Sequence, residues 1–339
     1  MTIISSSSQR QSVRHILRRA VAIVVIVYLA ALAISLLSQF VVPPDYADFT
    51  RSLFSLGLFL SFVLLPLCLL LRHRRLSLLL LLAVAAWLIL YAPLLLPRFD
   101  PAAPGGTETT ILTFNIQAPT EALESISSII ADADADMVGI QELSAEAAAH
   151  FEQTLQDRYP YMALYPQDNP HVGQGVLSRY PIAAENYWRN EQLDATLGHL
   201  RVELDINGTS VALYNTHPVP PFSFEQGRNL RPHSRELGEV LDRAEAETIP
   251  TLIVGDFNMT DQFGEYYRIT EHFTDTYLEA GGGSLGFTFP NGQRLPFPRL
   301  IRLDYIFHSA GFEGLDARVW ERSGSSDHLP VFARLVLYP

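Results

Sequence analysis

The run Ile253-Val254-Gly255-Asp256-Phe257-Asn258 sets a carboxylate and an amide two residues apart at the end of an apolar stretch. At a strand exit both side chains can enter one site. The carboxylate takes a proton or holds charge, while the amide offers a donor and an acceptor. An Asx turn is the competing reading of the same pair. Near the C-terminus, Ser325-Ser326-Asp327-His328-Leu329-Pro330 places an acid beside an imidazole that titrates near neutrality, a pairing suited to a metal ligand next to an acid–base group. Asp304 alone interrupts the strand-like run from Arg302 to Phe307. A buried carboxylate is costly unless paired, and His328 is its natural partner, with Asp304 fixing the ring's tautomer. Glu142, after Gly139-Ile140-Gln141, supplies a hard oxygen ligand of the kind Mg²⁺ takes in ones or twos beside water and phosphate oxygens, with Mn²⁺ as the alternative ion. Thr113-Phe114-Asn115 and Tyr214-Asn215-Thr216-His217-Pro218 complete the set.

These residues need strands to carry them. Thr110–Phe114, Met137–Ile140 and Thr251–Val254 read as strands, and Leu200–Leu204 with Ser210–Tyr214 as a hairpin about Asn207-Gly208. Arg302–Phe307 and Val331–Leu337 close the series, with helices expected over Thr120–Ala131 and Arg231–Glu247. Asn115, Glu142, His217 and Asp256 all fall just past strand ends, where layered α/β proteins gather side chains from distant segments.

The N-terminal 97 residues are of another kind. Three uncharged runs, Ala20–Val42, Ser52–Leu71 and Leu76–Pro97, are each long enough to span a bilayer core of about 30 Å as a helix. Pro66 and Pro93 are expected to kink the second and third. Eight Arg stand against two acids in this part, whereas the rest of the chain holds 16 Arg against 34 acids. Arg10, Arg14, Arg18 and Arg19 precede the first run, and Arg72, Arg74 and Arg75 separate the second from the third, which places the N-terminus in the cytoplasm and everything after the third run outside. A signal peptide ending near Ala31-Leu32-Ala33 competes for the first run. The expected organisation is a membrane domain over residues 1–97, a short Pro/Gly-rich linker over 98–109 and a catalytic domain over 110–339. The single Cys68 excludes an intramolecular disulfide.

Taken in order, the six motifs resemble the endonuclease/exonuclease/phosphatase superfamily over about Thr109 to Tyr338, and Gly173–Ile182 resembles its G-x-x-x-x-S-x-x-P-I segment. The resemblance implies an α/β fold, a four-layer α/β sandwich with two central mixed sheets. It implies that Glu142, helped by Asn115, binds the metal and that Asp327 completes the metal environment. Asp256 would orient or deprotonate the attacking water, and Asn258 would hold the phosphate. His217 would donate to a phosphate oxygen, while His328, paired with Asp304, would bond another or act as acid–base. His217-Pro218-Val219-Pro220-Pro221 departs from soluble members and is similar to a membrane-bound bacterial branch that includes proteins associated with glycopeptide-antibiotic resistance.

The other histidines (His150, His171, His199, His233, His272 and His308) read as surface or packing residues, and Asp132, Asp134 and Asp136 as a solvated turn. The acidic balance argues against a polyanion such as DNA, apart from Arg228, Arg231 and Arg235. Pro220–Phe224 and Leu295–Ile301 give an apolar rim able to meet a bilayer interface. A lipid-linked phosphate is therefore the expected substrate, such as a polyprenyl pyrophosphate or a phospholipid. An extracytoplasmic nuclease is the alternative, and an inactive receptor or scaffold the third.

Overall fold

The computed structural model describes residues 4–42, 44–96, 105–118, 120–190, 196–221, 231–291 and 299–338. The chain divides into two compact units, Met1–Pro93 and Leu94–Pro339. The first is helical: α1 (Ile4–Ser38), α2 (Pro44–Phe59), α3 (Ser61–Leu70) and α4 (Arg74–Leu95). Among the described residues, three stretches are long and apolar enough to cross a membrane, Ser12–Ser38, Tyr46–Leu70 and Arg74–Leu95. Their exposed faces carry Ile23, Val27, Leu70 and Ile89.

Two details differ from the sequence expectation. The first helix begins well before the apolar run, because helical hydrogen bonds do not stop where charge begins. The second span, with Pro66 inside α3, is interrupted at Leu60, a break not expected from the sequence. There the Gly57 carbonyl accepts both the Leu60 N–H (3.1 Å) and the Tyr28 hydroxyl (2.9 Å), and the Ser61 hydroxyl turns back to the Leu58 carbonyl (2.6 Å). Glycine holds a helix weakly, whereas Pro66 removes a single helical bond inside α3, which runs on to Leu70.

The second unit runs β1 (Thr107–Asn115), α5 (Leu123–Ala133), β2 (Met137–Gln141), α6 (Ala145–Thr154), β3 (Tyr161–Tyr165), β4 (Gln174–Ser178), β5 (Ile182–Trp188), β6 (His199–Ile206), β7 (Thr209–Thr216), α7 (Arg231–Glu245) and β8 (Thr251–Asp256). It continues with α8 (Gly264–Thr270), β9 (Thr274–Asp275), α9 (Thr276–Ala280), β10 (Asp304–His308), β11 (Phe312–Val319) and β12 (Val331–Leu337). Two six-stranded sheets result, in the orders β11-β12-β1-β2-β4-β3 and β5-β6-β7-β8-β10-β9. Each is mixed, with β1–β2 and β7–β8 parallel and their neighbours antiparallel.

Period-two alternation decides which side chains face which layer. Leu112, Phe114, Val138 and Ile140 pack outward on Ile126, Ile129 and Phe151 of α5 and α6. Ala212, Tyr214, Ile253 and Phe307 pack on Leu237, Val240 and Ile269 of α7 and α8. The alternate residues meet between the sheets. Gln141 Nε2 donates to Thr113 Oγ1 (3.1 Å) and Asn215 Oδ1 (2.5 Å), and Asn215 Nδ2 donates to the Ile140 carbonyl (2.8 Å) and Gln174 Oε1 (2.7 Å). A Cβ at Gly139 would lie 2.8 Å from both Asn215 Oδ1 and Val254 Cγ2, so the sheets close there only on glycine. This is the four-layer α/β sandwich with two mixed sheets. Two residues beyond Thr113 and Val254 come Asn115 and Asp256, which alternation delivers to the rim between the sheets.

The hairpin turn uses positive φ at Asn207 (54°) and Gly208 (91°), the geometry an Asn-Gly pair favours. The acids of the turn after α5 are not merely solvated. Asp136 Oδ2 accepts the Thr110 N–H (2.9 Å) and hydroxyl (2.8 Å), Asp134 pairs with Arg158 and Arg179, and Asp132 with Arg322. Asp136 lies beside Thr110 of β1 and takes its N–H, while guanidinium groups neighbour Asp134 and Asp132.

Candidate active site

The structure gathers all eight predicted residues at one rim, each delivered by the end of an element. Asn115 ends β1, and Glu142 follows β2 with φ of 61°. His217 follows β7, Asp256 ends β8 with Asn258 (φ 49°) just beyond, Asp304 opens β10, and Asp327-His328 precede β12. Two non-glycine residues at positive φ in one cluster is the backbone strain that well-determined sites tolerate. Gly255 (φ 145°) makes the approach possible, since a Cβ there would sit 1.9 Å from the Thr216 carbonyl oxygen.

Asp256 is the hub. Its Oδ2 accepts from Asn115 Nδ2 (3.0 Å) and lies 3.4 Å from His217 Nε2 and 3.6 Å from His328 Nε2, while Oδ1 accepts the Asn258 N–H (2.9 Å). Burial opposes its ionisation, but His328, His217 and the Asn258 N–H outweigh burial and hold it well below the usual carboxylate range. His328 Nδ1 contacts Asp304 Oδ2 at 2.9 Å. Burial works against its charge, yet Asp304 and Asp256 push its pKa up to about 10. His217 is likewise raised, Asp256 and Glu142 overcoming burial. The rim thus presents a carboxylate between two imidazoles whose protonated forms it favours.

Asn258 does not point freely outward: its Nδ2 donates to the Pro218 carbonyl (3.0 Å), joining the Asp256 loop to the His217 segment. Ser326 fixes the opposite wall, its hydroxyl donating to the Asn115 carbonyl (2.6 Å) and accepting the His328 N–H (3.0 Å). The Asp327 N–H donates to Gln117 Oε1 (3.1 Å).

Glu142 takes the Asn115 amide on Oε1 (3.2 Å) and the Ala118 N–H on Oε2 (2.8 Å). Burial resists its ionisation, but His171, His217 and Ala118 lower its pKa below the usual value. Asp327 is raised, by burial first and then by the charges of Glu142 and Asp256, which outweigh the help of His328. Hard oxygens that repel one another at a half-buried edge are a donor set a divalent cation satisfies. Asp256, Asp304 and His328 also bring ligand atoms within 4.8 Å of one another and could hold an ion by proximity. The 2.9 Å contact between Asp304 and His328 also suits that trio to proton handling.

His171 corrects the sequence reading. It lies in the turn Pro170–Val172 with its Nδ1 2.8 Å from Glu142 Oε2, its side chain about half exposed (52%) and its pKa raised mainly by that hydrogen bond. An irregular turn has no period to betray it. Its place two residues before Gly173 of the G-x-x-x-x-S segment was the available signal. The other histidines keep ordinary places: His199, His233 and His308 are buried, His150 is half-buried and His272 exposed. His171→Ala is expected to lower kcat/KM by about tenfold, the loss of one charge-assisted hydrogen bond, with a stability loss of no more than about 1 kcal/mol at this half-exposed pair. Parallel kinetics and thermal melts check this, and unaltered kinetics would mark the contact as a surface pair.

Arg235 is exposed on α7. Arg228, Phe222–Phe224 and Leu295–Pro298 lie outside the described residues, as does most of the linker. Of the expected rim, Pro220, Pro221 and Arg299–Ile301 are described, and Leu300 is exposed.

With this geometry in hand, the likenesses to known proteins take on meaning. The model of the Endonuclease/Exonuclease/phosphatase family matches residues 112–328, most of the chain. The chain belongs to that family and is a metal-dependent hydrolase acting on phosphoester bonds. Among solved structures, an endonuclease/exonuclease/phosphatase of Beutenbergia cavernae is 21% identical with a TM-score of 0.56, over 68% of this chain and 72% of its own. Truncated Caenorhabditis elegans TDP2 is 17% identical with a TM-score of 0.57, over 68% and 97%. The Bacteroides thetaiotaomicron mannosyl-6-phosphatase Bt3783 is 17% identical with a TM-score of 0.54, over 68% and 100%. These likenesses speak to the fold. Among curated proteins, none matches the chain.

Proposed function

We propose that the chain is a membrane-anchored, Mg²⁺-dependent phosphoesterase that cleaves a phosphodiester or pyrophosphate bond of a lipid-linked phosphate at the outer membrane surface. The observation that carries this reading is the coupling, in one chain, of the hydrolase unit to three helices apolar enough to cross a membrane. The Arg distribution favours a cytoplasmic N-terminus and an external catalytic unit. The acidic balance of the latter disfavours nucleic acid as the substrate.

Glu142, with Asn115 and Asp327, holds the metal in this reading. A divalent ion there supplies charge neutralisation for the phosphate oxygens. Asp256, its carboxylate held ionised by His328 and His217, orients the attacking water by accepting its hydrogen bond. His217 and His328 donate from their Nε2 atoms to phosphate oxygens, where negative charge develops. Asp304 holds His328 in the protonated, correctly turned form, and Asn258 fixes the loop and contributes its amide to the phosphate.

The test is hydrolysis by full-length protein in Mg²⁺-containing proteoliposomes. The panel is a polyprenyl pyrophosphate, phospholipids, mannose 6-phosphate and DNA. Release of phosphate or headgroup from a lipid, well ahead of the soluble compounds, is the expected result. Rapid DNA cleavage with inert lipids would instead establish a surface nuclease, and preference for the sugar phosphate would overturn the lipid assignment.

A further inference from the structure

Beta strand β7 ends at Thr216, so His217 stands in a segment with no ladder to hold it. The residues after it, Pro218-Val219-Pro220-Pro221, contain three prolines, and proline has no N–H. Val219 therefore offers the one backbone donor in the stretch, and it is taken by Glu236 Oε2 at 2.7 Å. Glu236 lies on α7, outside the cluster around Asp256, and its side chain is fully buried. Its other oxygen, Oε1, accepts the Leu197 N–H at 2.7 Å and the Thr196 hydroxyl.

The segment around His217 is tied on each side. The Thr216 hydroxyl is bonded to His199 Nδ1 (2.7 Å), the Pro218 carbonyl to Asn258 and the Val219 N–H to Glu236. The second arm of Glu236 reaches the other wall. Leu197 precedes Gly198, where a Cβ would lie 2.2 Å from the Val172 carbonyl oxygen, so this segment presses on the turn that carries His171. One carboxylate thus braces the supports of two site histidines that lie 46 positions apart in the sequence.

We infer that Glu236 is a positioning residue for phosphoester hydrolysis, acting through Val219 on His217 and through Leu197 and Gly198 on the His171 turn. The inference rests on the reading of His217 as a phosphate donor. Three donors converge on this carboxylate, the Val219 and Leu197 N–H groups and the Thr196 hydroxyl, and they satisfy its ionised form. Burial pushes its pKa up to about 7, more than the Thr196, Val219 and Leu197 donors lower it. The groups facing it are His217 and His199, whose Nε2 lies 3.9 Å away. Burial, with His217 and Arg243, drives the His199 pKa down to about 3, so that ring stays neutral. As pH falls through about 7, Glu236 gains a proton and loses the charge that strengthens its hydrogen bonds to the Val219 and Leu197 N–H groups.

The experiment compares wild-type, Glu236→Gln, Glu236→Asp and His217→Ala full-length protein in detergent with Mg²⁺ and bis(p-nitrophenyl) phosphate, from pH 5 to 10. Glu236→Gln is expected to lower kcat about 10–100-fold, the scale of a small misplacement of a catalytic group, with KM within about threefold. Its profile should lose the acid limb near pH 7, and Glu236→Asp should recover part of kcat together with that limb. Should Glu236→Gln not fold, Glu236→Asp carries the test: reduced kcat at an unchanged melting temperature supports the inference, and wild-type kcat overturns it. A kcat for Glu236→Gln within twofold of wild type, or an unmoved acid limb, also overturns it. If His217→Ala is inactive while Glu236→Gln is not, the positioning role alone fails. If His217→Ala keeps full activity, the reading of His217 fails and the inference with it.

Discussion

Asp256→Asn is expected to lower kcat by about 10³–10⁴-fold, the upper range for losing a residue that orients or deprotonates the nucleophile. The amide keeps the shape but removes the charge on which His217 and His328 both depend, at 3.4 and 3.6 Å. Steady-state kinetics check it, and a loss below tenfold would remove Asp256 from the mechanism. The same geometry fixes a pH signature. His328 has its folded pKa raised from 6.5 to about 10, by Asp304 and Asp256 against burial. Its pairing therefore contributes stability that is fully present below pH 6.5 and is lost as pH rises through about 10. Activity that needs the imidazolium should fall along the same alkaline limb. Asp304→Asn takes away the 2.9 Å partner, so its limb should move down from pH 10 toward neutrality. An unchanged limb would show that His328 does not act as a cation.

How much of this was legible depends on whether a residue's place follows from a period. Asn115 and Asp256 continue the alternation of Thr113 and Val254, so strand reading carries them to the rim without further information. Asp304 was legible for a different reason, because a lone acid in an apolar strand demands a partner. His171 sits in a three-residue turn, and no local pattern separates it from a surface histidine. Glu236 was hidden in another way. On an amphipathic helix it reads as one more charge, and only the fold reveals that the proline-rich stretch after His217 has a single N–H to place. Composition sufficed to locate the three stretches apolar enough to cross a membrane, but not the break at Leu60, where the Tyr28 hydroxyl from another helix shares the Gly57 carbonyl.

Glu142→Gln separates metal binding from the rest of the chemistry. The substitution keeps an oxygen for Asn115 or Ala118 to bond but removes the charge that would make Glu142 a hard ligand in the proposed scheme. Changes in the shell around a metal ligand typically cost about 10–100-fold in affinity, so loss of the ligand itself should raise the Mg²⁺ needed for half-maximal activity by about 100-fold or more. A second readout needs no turnover. An ion that binds only the folded protein stabilises it by about 2.7 kcal/mol at 100 times its Kd, so Mg²⁺ should raise the wild-type melting temperature and leave that of the variant nearly unmoved. Asp256→Asn should retain the Mg²⁺-dependent shift while losing turnover, because Asp256 acts on water and imidazoles in the proposed scheme. The reverse pattern, a shift kept by Glu142→Gln and lost by Asp256→Asn, would move the metal to the Asp256, Asp304 and His328 group. His328 would then have to give up the proton that its two carboxylate neighbours hold in place.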